Sequence, residues 1–459
     1  MSNLVILQND LRLHDNPALY YAAQEDLPII VVYVIEKRIG TAALWWLTKS
    51  LTNFRERLQE YGIELLSVFD RNQFPDLIDY LQKDLSIEIK KIFSNGIDFD
   101  LPDKSLEKIH ESLMPNNIYD FSKLPKEHKV FTPFWKFLQE KFEPELPVDD
   151  PKFSKSNKTM IQFDRFQEIP YEKTREDLDS HWKTGEKAAL EQYRNFVKSR
   201  LVNYDVERDY FSRDGTSKLS PHLRFGEISA RKIYHDLKKN SRNKRFLSEL
   251  GWREFGYQTY YFHPKMDSIP LNPKYANFFP KYNEDHLIAW KNGTTGYPVI
   301  DAAMRQLKHT GWMHNRLRMV VASFLTKNLL IPWQQGEQFF YDCLVDGDRA
   351  LNPMNWQWVA GCGFDSVPYF RIFNPSLQGE KFDSDGTFVR YWVEELKNVS
   401  KSFNIYKDYE KIPSKSYPKP IINYSKSRIR ALETLKNVVN PKVVKVQKRS
   451  HKEEDSDED

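Results

Sequence analysis

Two rhythms of apolar and polar positions run along this chain. In the first hundred or so residues, short apolar runs at 3–8, 28–36, 62–69 and 87–94 alternate with segments of helical spacing at 18–24, 42–61, 74–83 and 104–113. The run Pro28–Glu36 is almost continuously β-branched, the pattern of a strand buried on both faces. His14-Asp15-Asn16 followed by Pro17 reads as a polar cap with proline at a first helical position. Regular alternation of strand and helix predicts a parallel α/β sheet. Right-handed crossovers then put a ligand crevice at the C-terminal strand ends. From about Gly185 to Arg430 the spacing is helical and β-branched runs are few, which predicts a large helical domain. Between 142 and 180 both rhythms stop: Pro144, Pro147 and Pro151 precede a Lys/Ser/Asn-rich stretch at 152–158. That is long for a loop inside a compact domain, so it is expected to join two. The expected organisation is an α/β domain over 1–130, a connector over 131–185, a helical domain over 186–435 and a charged, disordered tail over 436–459.

Several function classes fall away. No G-x-G-x-x-G follows the first strand and no G-x-x-x-x-G-K-[ST] occurs, so the α/β domain carries no nucleotide fingerprint. Cys343 and Cys362 are the only two cysteines among 459 residues, which excludes a disulfide scaffold and cysteine-based zinc modules. The longest apolar run near the start is too short for a membrane span, and no signal-peptide charge precedes it. The expectation is a soluble intracellular protein.

Composition adds a partner class. The chain holds 30 Phe, 24 Tyr and 11 Trp, and a formal charge of +4. Six of its 64 acids lie in Glu453–Asp459, so the remainder, with all 68 Lys and Arg, carries +10. A basic body rich in Trp suits a polyanion that is also stacked upon, as nucleic acids are; an aromatic core in a mildly basic protein would give the same numbers.

Four windows concentrate candidate chemistry. Asp214-Gly-Thr-Ser-Lys-Leu-Ser220-Pro offers hydroxyl and backbone donors before a helix, fit for a phosphate or simply an N-cap. In Glu249-Leu-Gly-Trp252-Arg253, Glu249 and Trp252 share a helix face, and a Glu249–Arg253 surface pair with a core Trp fits equally. In Gly311-Trp-Met-His-Asn315-Arg316-Leu-Arg318-Met319, an amide and a thioether beside arginines suit a flat, polar-edged ligand such as a base; His314 is expected to be structural. In Asp346-Gly347-Asp348 through Asn352 to Trp356 and Trp358, two carboxylates lack a nearby His or third acid, so no metal site is expected. Trp356, Trp358 and the upstream Trp333 suggest a redox or stacking array.

Together these windows resemble the photolyase/cryptochrome family, and within it the class I cyclobutane pyrimidine dimer photolyases. Asp10-Leu-Arg-Leu-His-Asp-Asn-Pro-Ala-Leu, Leu44-Trp-Trp-Leu47, Val130-Phe-Thr-Pro-Phe134, Gly293-Thr-Thr-Gly-Tyr-Pro-Val-Ile-Asp-Ala-Ala-Met-Arg, the Trp312 segment and Tyr369-Phe-Arg-Ile-Phe-Asn-Pro375 carry the likeness over nearly the whole chain. The resemblance implies a Rossmann-like parallel α/β domain followed by a helical domain that binds FAD, reduced and non-covalent. Tyr204 and Thr216, Ser217, Lys218, Leu219 and Ser220 match contacts to its phosphates and ribose. Arg318 and Asp348 match an ion pair along the ring system, Asp346 matches a ring contact, Gly347 lies with them at the cofactor, and Asn352 matches the residue at flavin N5.

For the substrate, Glu249 matches the acid that bonds the 5′ thymine, Asn315 a carbonyl contact and Met319 a side chain packed under the bases. Trp252 and Trp358 match the walls that clamp a flipped-out dimer, with Arg253 and Arg316 beside them on the DNA side. The implied reaction is a carbon–carbon lyase reaction driven by light: an electron passes from excited reduced FAD to a pyrimidine dimer in UV-damaged DNA, the cyclobutane ring splits and the electron returns. The implied protein is a monomer with no membrane partner, cytoplasmic in the bacterial manner or otherwise held with DNA inside the cell.

Two departures stand out. Trp356 and Trp333 match the first two members of an electron-transfer chain, but the outermost falls on Pro280, with Tyr282, Phe278 or Phe279 as substitutes. After Asn352 comes Pro-Met-Asn where relatives often have Asn-Gly-Gly, so a different local loop is expected. An antenna chromophore on the α/β domain, a deazaflavin, flavin or folate, is also implied; Leu44–Leu47 looks more like the deazaflavin or flavin type. A (6-4) photolyase would place histidines where Asn315 and Met319 stand. A cryptochrome, a light sensor without repair, commonly lacks the acid at Glu249 or the Trp clamp.

Overall fold

The computed structural model describes residues 1–69, 71–96, 116–159, 161–170, 175–276, 278–279, 281–366 and 371–438. The helix expected over 104–113, Pro280, Tyr369, Phe370 and the tail beyond 438 lie outside them.

Strands β1 (Ser2–Leu7), β2 (Ile29–Val34), β3 (Glu64–Val68) and β4 (Ile89–Ser94) form one parallel sheet in the order β3-β2-β1-β4. The register pairs Val5 with Val31 and Phe93, and Val31 with Leu65. Alternate residues feed two separate cores. Val5, Val31, Leu65 and Phe93 pack under α1 (Pro17–Ala22) and α2 (Thr41–Gln59). Leu4, Ile30, Val32 and Leu66 pack under α3 (Phe74–Asp79) on the other face. Burial on both faces explains why the strands read as continuous apolar runs. The helix expected over 74–83 is split, with Tyr80–Asp84 forming a π turn after α3. The irregular connector lies along the sheet edge, where Phe166 O accepts from Ser67 N at 2.7 Å, so the backbone of β3 is not left as an open edge.

Within the expected connector, α4 (Phe131–Lys141) is a helix that packs on the helical domain. That domain continues through α5 (Glu186–Ser199), α6 (Tyr204–Glu207), α7 (Ser220–Arg224), α8 (Ala230–Leu237), α9 (Lys244–Phe262), α10 (Glu284–Asn292), α11 (Pro298–Thr310), α12 (Asn315–Ser323), α13 (Trp333–Cys343), α14 (Leu351–Ala360), α15 (Pro375–Phe382), α16 (Thr387–Trp392) and α17 (Tyr424–Val438). Asn352-Pro-Met-Asn355, expected as an altered loop, is the first part of α14: Pro353 falls in the first turn, where its missing N–H costs nothing. The two domains meet along a buried polar seam. Asp15 accepts from Arg231 Nε at 3.2 Å and also from Arg231 Nη2 and Ser229 Oγ. Arg12 Nη1 donates to Gly226 O at 2.9 Å, and Glu186 accepts from His14 N at 2.9 Å. The fully buried Glu227 accepts from Trp46 Nε1 at 3.2 Å and Gly185 N at 2.7 Å. Thus the segment after β1, at the reversal of strand order, docks the helical domain: a Cβ on Gly226 would lie 2.6 Å from Asp10 Cα.

Candidate functional site

Helix α14 packs on both α9 and α12, and the three carry half of the predicted site residues. Gly256 makes the α9–α14 approach close, since a Cβ there would meet Leu351 Cδ2 at 2.5 Å. Where these helices meet, several large side chains are left half-buried. Trp252, Met319 and Trp358 are all partly exposed, and Asn315, the first residue of α12, is exposed. Trp252 stacks on Phe131 of α4 with ring centroids 3.9 Å apart and planes 10° apart. Trp358 donates its indole N–H to Asp365 O at 2.9 Å, which fixes the ring. Glu249 is paired with Arg208 at 2.6 Å, with 30 % of its side chain exposed. Burial pushes the Glu249 carboxyl above its ordinary range, and the Arg208 guanidinium opposes that rise.

Two predicted pairings are redrawn. Arg318 does not pair with Asp348: its Nη2 lies 2.8 Å from Asp346 Oδ2, and its Nε donates to Met313 O at 2.8 Å. Asp348 accepts from Tyr257 Oη at 2.8 Å and from Ala350 N and Leu351 N at 2.8 Å, which caps the start of α14. Arg253 is not on the DNA side. It is buried, bonded to Glu254 at 3.0 Å and Asn117 at 3.2 Å, because α9 is enclosed on nearly all sides at that level. The surface pair Glu249–Arg253 is also absent, each partner being engaged elsewhere. Arg316 pairs with Asp209 at 2.8 Å and lies 3.8 Å over the Phe382 ring. His314 caps α12, its Nδ1 accepting from Arg316 N at 3.2 Å, and burial pushes its imidazole down to about 3, so it is neutral.

The remaining residues line the interior. Asn352 is buried, and its Nδ2 donates to Glu337 O and Glu337 Oε1, both at 2.9 Å. Trp356 packs edge-on to Phe340 at 5.0 Å and Trp290 at 6.1 Å. Trp333, the first residue of α13, is buried in the same core. Tyr204 is buried between Phe196 and Phe246, with Arg208 5.6 Å from its ring. In the loop before α7, Lys218 has φ +54 and pairs with Asp214 at 2.9 Å, Ser217 O accepts from Gln192 Nε2 at 2.7 Å, and Leu219 is buried. Gly347 O accepts from Arg224 Nε at 3.0 Å.

Sequence reasoning missed Arg208, Glu337, Glu227 and Trp290. A signal for Glu337 existed: with Trp333, Phe340 and Tyr341 it sits at i, i+4, i+7 and i+8 on the apolar stripe of α13, where a carboxylate needs a reason. In Leu44–Leu47 both indoles are buried, Trp46 against Trp182 at 5.5 Å and His222 at 5.0 Å, so the motif belongs to the seam and gives no separate sign of an antenna.

A parallel α/β domain followed by a helical domain with a buried amide, an ion pair and a loop of donors defines a two-domain α/β–helical class with a candidate cofactor site in its helical half. Its family follows from sequence likeness. Residues 246–437 match the FAD binding domain of DNA photolyase, and residues 3–95 match the DNA photolyase domain. A deoxyribodipyrimidine photo-lyase of Agrobacterium fabrum is 38 % identical over 94 % of this chain and 96 % of its own. A bacterial class III photolyase structure from Agrobacterium tumefaciens superposes with TM-score 0.84 at 35 % identity, covering 95 % of this chain and 98 % of that one. An archaeal photolyase from Sulfolobus tokodaii, solved with two FAD molecules, gives TM-score 0.77 at 30 % identity, covering 95 % and 100 %. The chain belongs to the DNA photolyase family, and its cofactor is FAD.

The residues fit that cofactor. Among the described residues the Thr216 and Ser220 hydroxyls have no intramolecular partner, and Gly215 closes on α6 where a Cβ would lie 2.6 Å from Glu207 C, so the donor loop sits against the helix that carries Tyr204. The Arg318–Asp346 pair and the Asn352 amide offer a charge pair and a switchable donor–acceptor, chemistry that would suit a flavin ring. No helix among the described residues is long and apolar enough to cross a membrane.

Proposed function

We propose that the protein is a deoxyribodipyrimidine photo-lyase that splits cyclobutane pyrimidine dimers in UV-damaged DNA under blue light. The observation that carries the reading is the group left half-buried where α9, α12 and α14 meet: Glu249, Trp252, Met319 and Trp358 are withheld from the core although three of them are large and apolar. A flipped-out dimer of two adjacent pyrimidines, of modest polarity, is the ligand such walls suit. When bound, reduced FAD supplies a light-excited electron donor.

The protein's own residues do the rest. Trp252, backed by Phe131, and Trp358, held by Asp365 O, are pre-set platforms, so stacking costs little ordering. Arg208 holds Glu249 in place, and the raised carboxyl is able to share a proton with a pyrimidine carbonyl that gains negative charge. Asn315, exposed at the start of α12, offers an amide to a second carbonyl, and Met319 fills the space beneath the bases. Asn352 would hold the flavin near N5. Its amide meets either form of that nitrogen, turning its oxygen or its N–H as needed. Thr216–Ser220 and Tyr204 hold the phosphate and ribose end. Arg242, Lys244 and Arg245, all exposed around the start of α9, meet backbone phosphates. The protein works as a monomer inside the cell, and the α/β domain is where an antenna chromophore would sit.

The test is direct. A dimer-containing oligonucleotide, illuminated with blue light in the presence of reduced protein, regains thymine absorbance. No recovery, with the flavin verified as reduced, overturns the reading and favours a light-sensing cryptochrome.

A further inference from the structure

The loop after β2 reaches out of the α/β domain into the flavin wall by two arms. Glu36 pairs with Arg224 at 2.9 Å, and Arg224 continues to Gly347 O at 3.0 Å and to Asp348 at 3.4 Å. Two residues on, Arg38 Nη2 lies 4.0 Å from Glu337 Oε2, and Glu337 holds both amide hydrogens of Asn352 within reach of its backbone oxygen and its carboxylate. Arg38 is half exposed and also pairs with Asp267 at 3.4 Å and lies over the Tyr341 ring. Glu337 itself is nearly sealed from solvent.

We propose that Glu337 is a positioning residue that decides which face of the Asn352 amide is turned to the flavin, and that Arg38 of the α/β domain sets the charge on Glu337. The inference rests on the role given to Asn352 above. An ionised Glu337 accepts only, so it draws the amide hydrogens to itself and leaves the Asn352 oxygen for the flavin. A protonated Glu337 is a donor as well, so the amide is free to turn and present its N–H. Flavin N5 accepts a hydrogen bond when oxidised and donates one when reduced, so the two amide orientations favour different redox states. By linkage, the protonation of Glu337 and the reduction of the flavin then influence each other. The charged groups facing Glu337 are Arg38, which favours its anion, and Asp267, which opposes it; burial outweighs both and pushes the carboxyl up to about 7.

The test is the midpoint potential of the bound flavin in the full-length holoprotein, followed by spectroelectrochemical titration across pH. Wild-type protein should give a line with a change of slope near neutral pH. Glu337→Gln should remove that change of slope. Arg38→Met, on a half-exposed side chain that tolerates replacement, should keep it but move it to higher pH, because the stabilising cation is gone. A slope change that persists in Glu337→Gln, or that does not move in Arg38→Met, overturns the proposal. Dimer repair measured on the same samples separates the two readings. If repair is absent in wild-type protein while the pH behaviour is as described, the photo-lyase assignment fails and the Glu337 relay stands. If repair is present and the slope is indifferent to both substitutions, the reverse holds.

Discussion

Gly336→Ala tests the packing around Trp356 and its redox role with one methyl group. Gly336 lies in the middle of α13, where alanine would ordinarily gain about 1 kcal/mol in helix propensity. Here the added Cβ would sit 2.5 Å from Cζ3 of Trp356, closer still to Cη2, and 2.6 Å from Cδ2 of Leu325. Comfortable carbon–carbon contact is about 3.5–4.0 Å, so the ring or the helix must move by roughly 1 Å or more. The ring has little room to do so: it is 3 % exposed and flanked by Phe340 at 5.0 Å and Trp290 at 6.1 Å. Overpacking of this kind costs about 1–3 kcal/mol, and a clash with a hemmed-in indole belongs at the upper end. After the helix gain, a net loss of about 2 kcal/mol remains, or roughly 4–8 °C in the melting temperature of a domain this size. The assay is thermal unfolding followed by flavin release and near-UV circular dichroism, together with photoreduction of oxidised FAD under steady blue light. Both should fall, while repair by chemically pre-reduced protein stays active. A variant as stable as wild type or more so, with normal photoreduction, would refute the placement of Trp356 against α13.

Trp358→Ala removes one stacking platform. Stacking is worth about 1–3 kcal/mol per base, so affinity for dimer-containing DNA should drop about 10- to 100-fold by fluorescence anisotropy, with affinity for undamaged duplex nearly unchanged. DNA binding should weaken steeply with salt, and replacing Arg245 by Ala should lower the slope of log K against log salt by about one; a flat plot contradicts a phosphate-facing role. Asp15→Asn leaves buried Arg231 at the domain seam with only the exposed Glu145, 3.5 Å away, as counter-charge, at a cost of up to about 3–5 kcal/mol, read as a lower melting temperature and faster proteolysis of the connector. The pairing holds the Asp15 carboxyl below its ordinary value. Its contribution is therefore complete above the unfolded-state pKa, is lost as pH falls through the lower folded one, and that part of the acid limb should vanish in the variant.

The sheet and the helical domain were readable because burial writes itself into spacing. Pro28–Glu36 gave β2 to within two residues at each end, and the 18–24 and 42–61 segments became α1 and α2, each starting one residue earlier and ending two residues sooner. What spacing could not fix was partnership. Asp346 and Asp348 stand two apart on a turn, and nothing in their order says that Arg318 takes the first while the second caps α14. Arg253 looked like a DNA contact because Arg in a Trp-bearing window suits one; the enclosure of α9 by α4 and α14 turned it inward onto Glu254. The signature Asp10–Leu19 was legible as a helix start, yet three of its five polar residues serve a seam with residues more than 170 positions away. Long-range pairing of this sort leaves no periodic trace in either partner.

The exit of the electron chain is where sequence and structure leave the sharpest question to experiment. By resemblance Trp356 takes the inner position; its ring neighbour is Trp290, while Trp333 sits in the same core. Trp356→Phe should abolish photoreduction of oxidised FAD, and Trp333→Phe should impair it; if Trp290→Phe impairs it instead, the second hop runs through Trp290. With proline at the outer position, the hole must leave through another oxidisable ring. Tyr282 is half-buried against the same core. Burial and the nearby Glu284 carboxylate hold its phenol above its ordinary range. A phenol so held cannot lose a proton in advance, so it must lose electron and proton together, and Glu284 is the acceptor at hand. The final hop should therefore slow in deuterated solvent, with a tyrosyl signal growing as the tryptophanyl signal decays after a flash. Glu284→Gln should slow the same step without touching the inner hops. Unchanged kinetics and photoreduction yield in Tyr282→Phe would place the exit elsewhere. Repair by pre-reduced protein should survive every one of these substitutions, because the electron that splits the dimer starts from the flavin and returns to it.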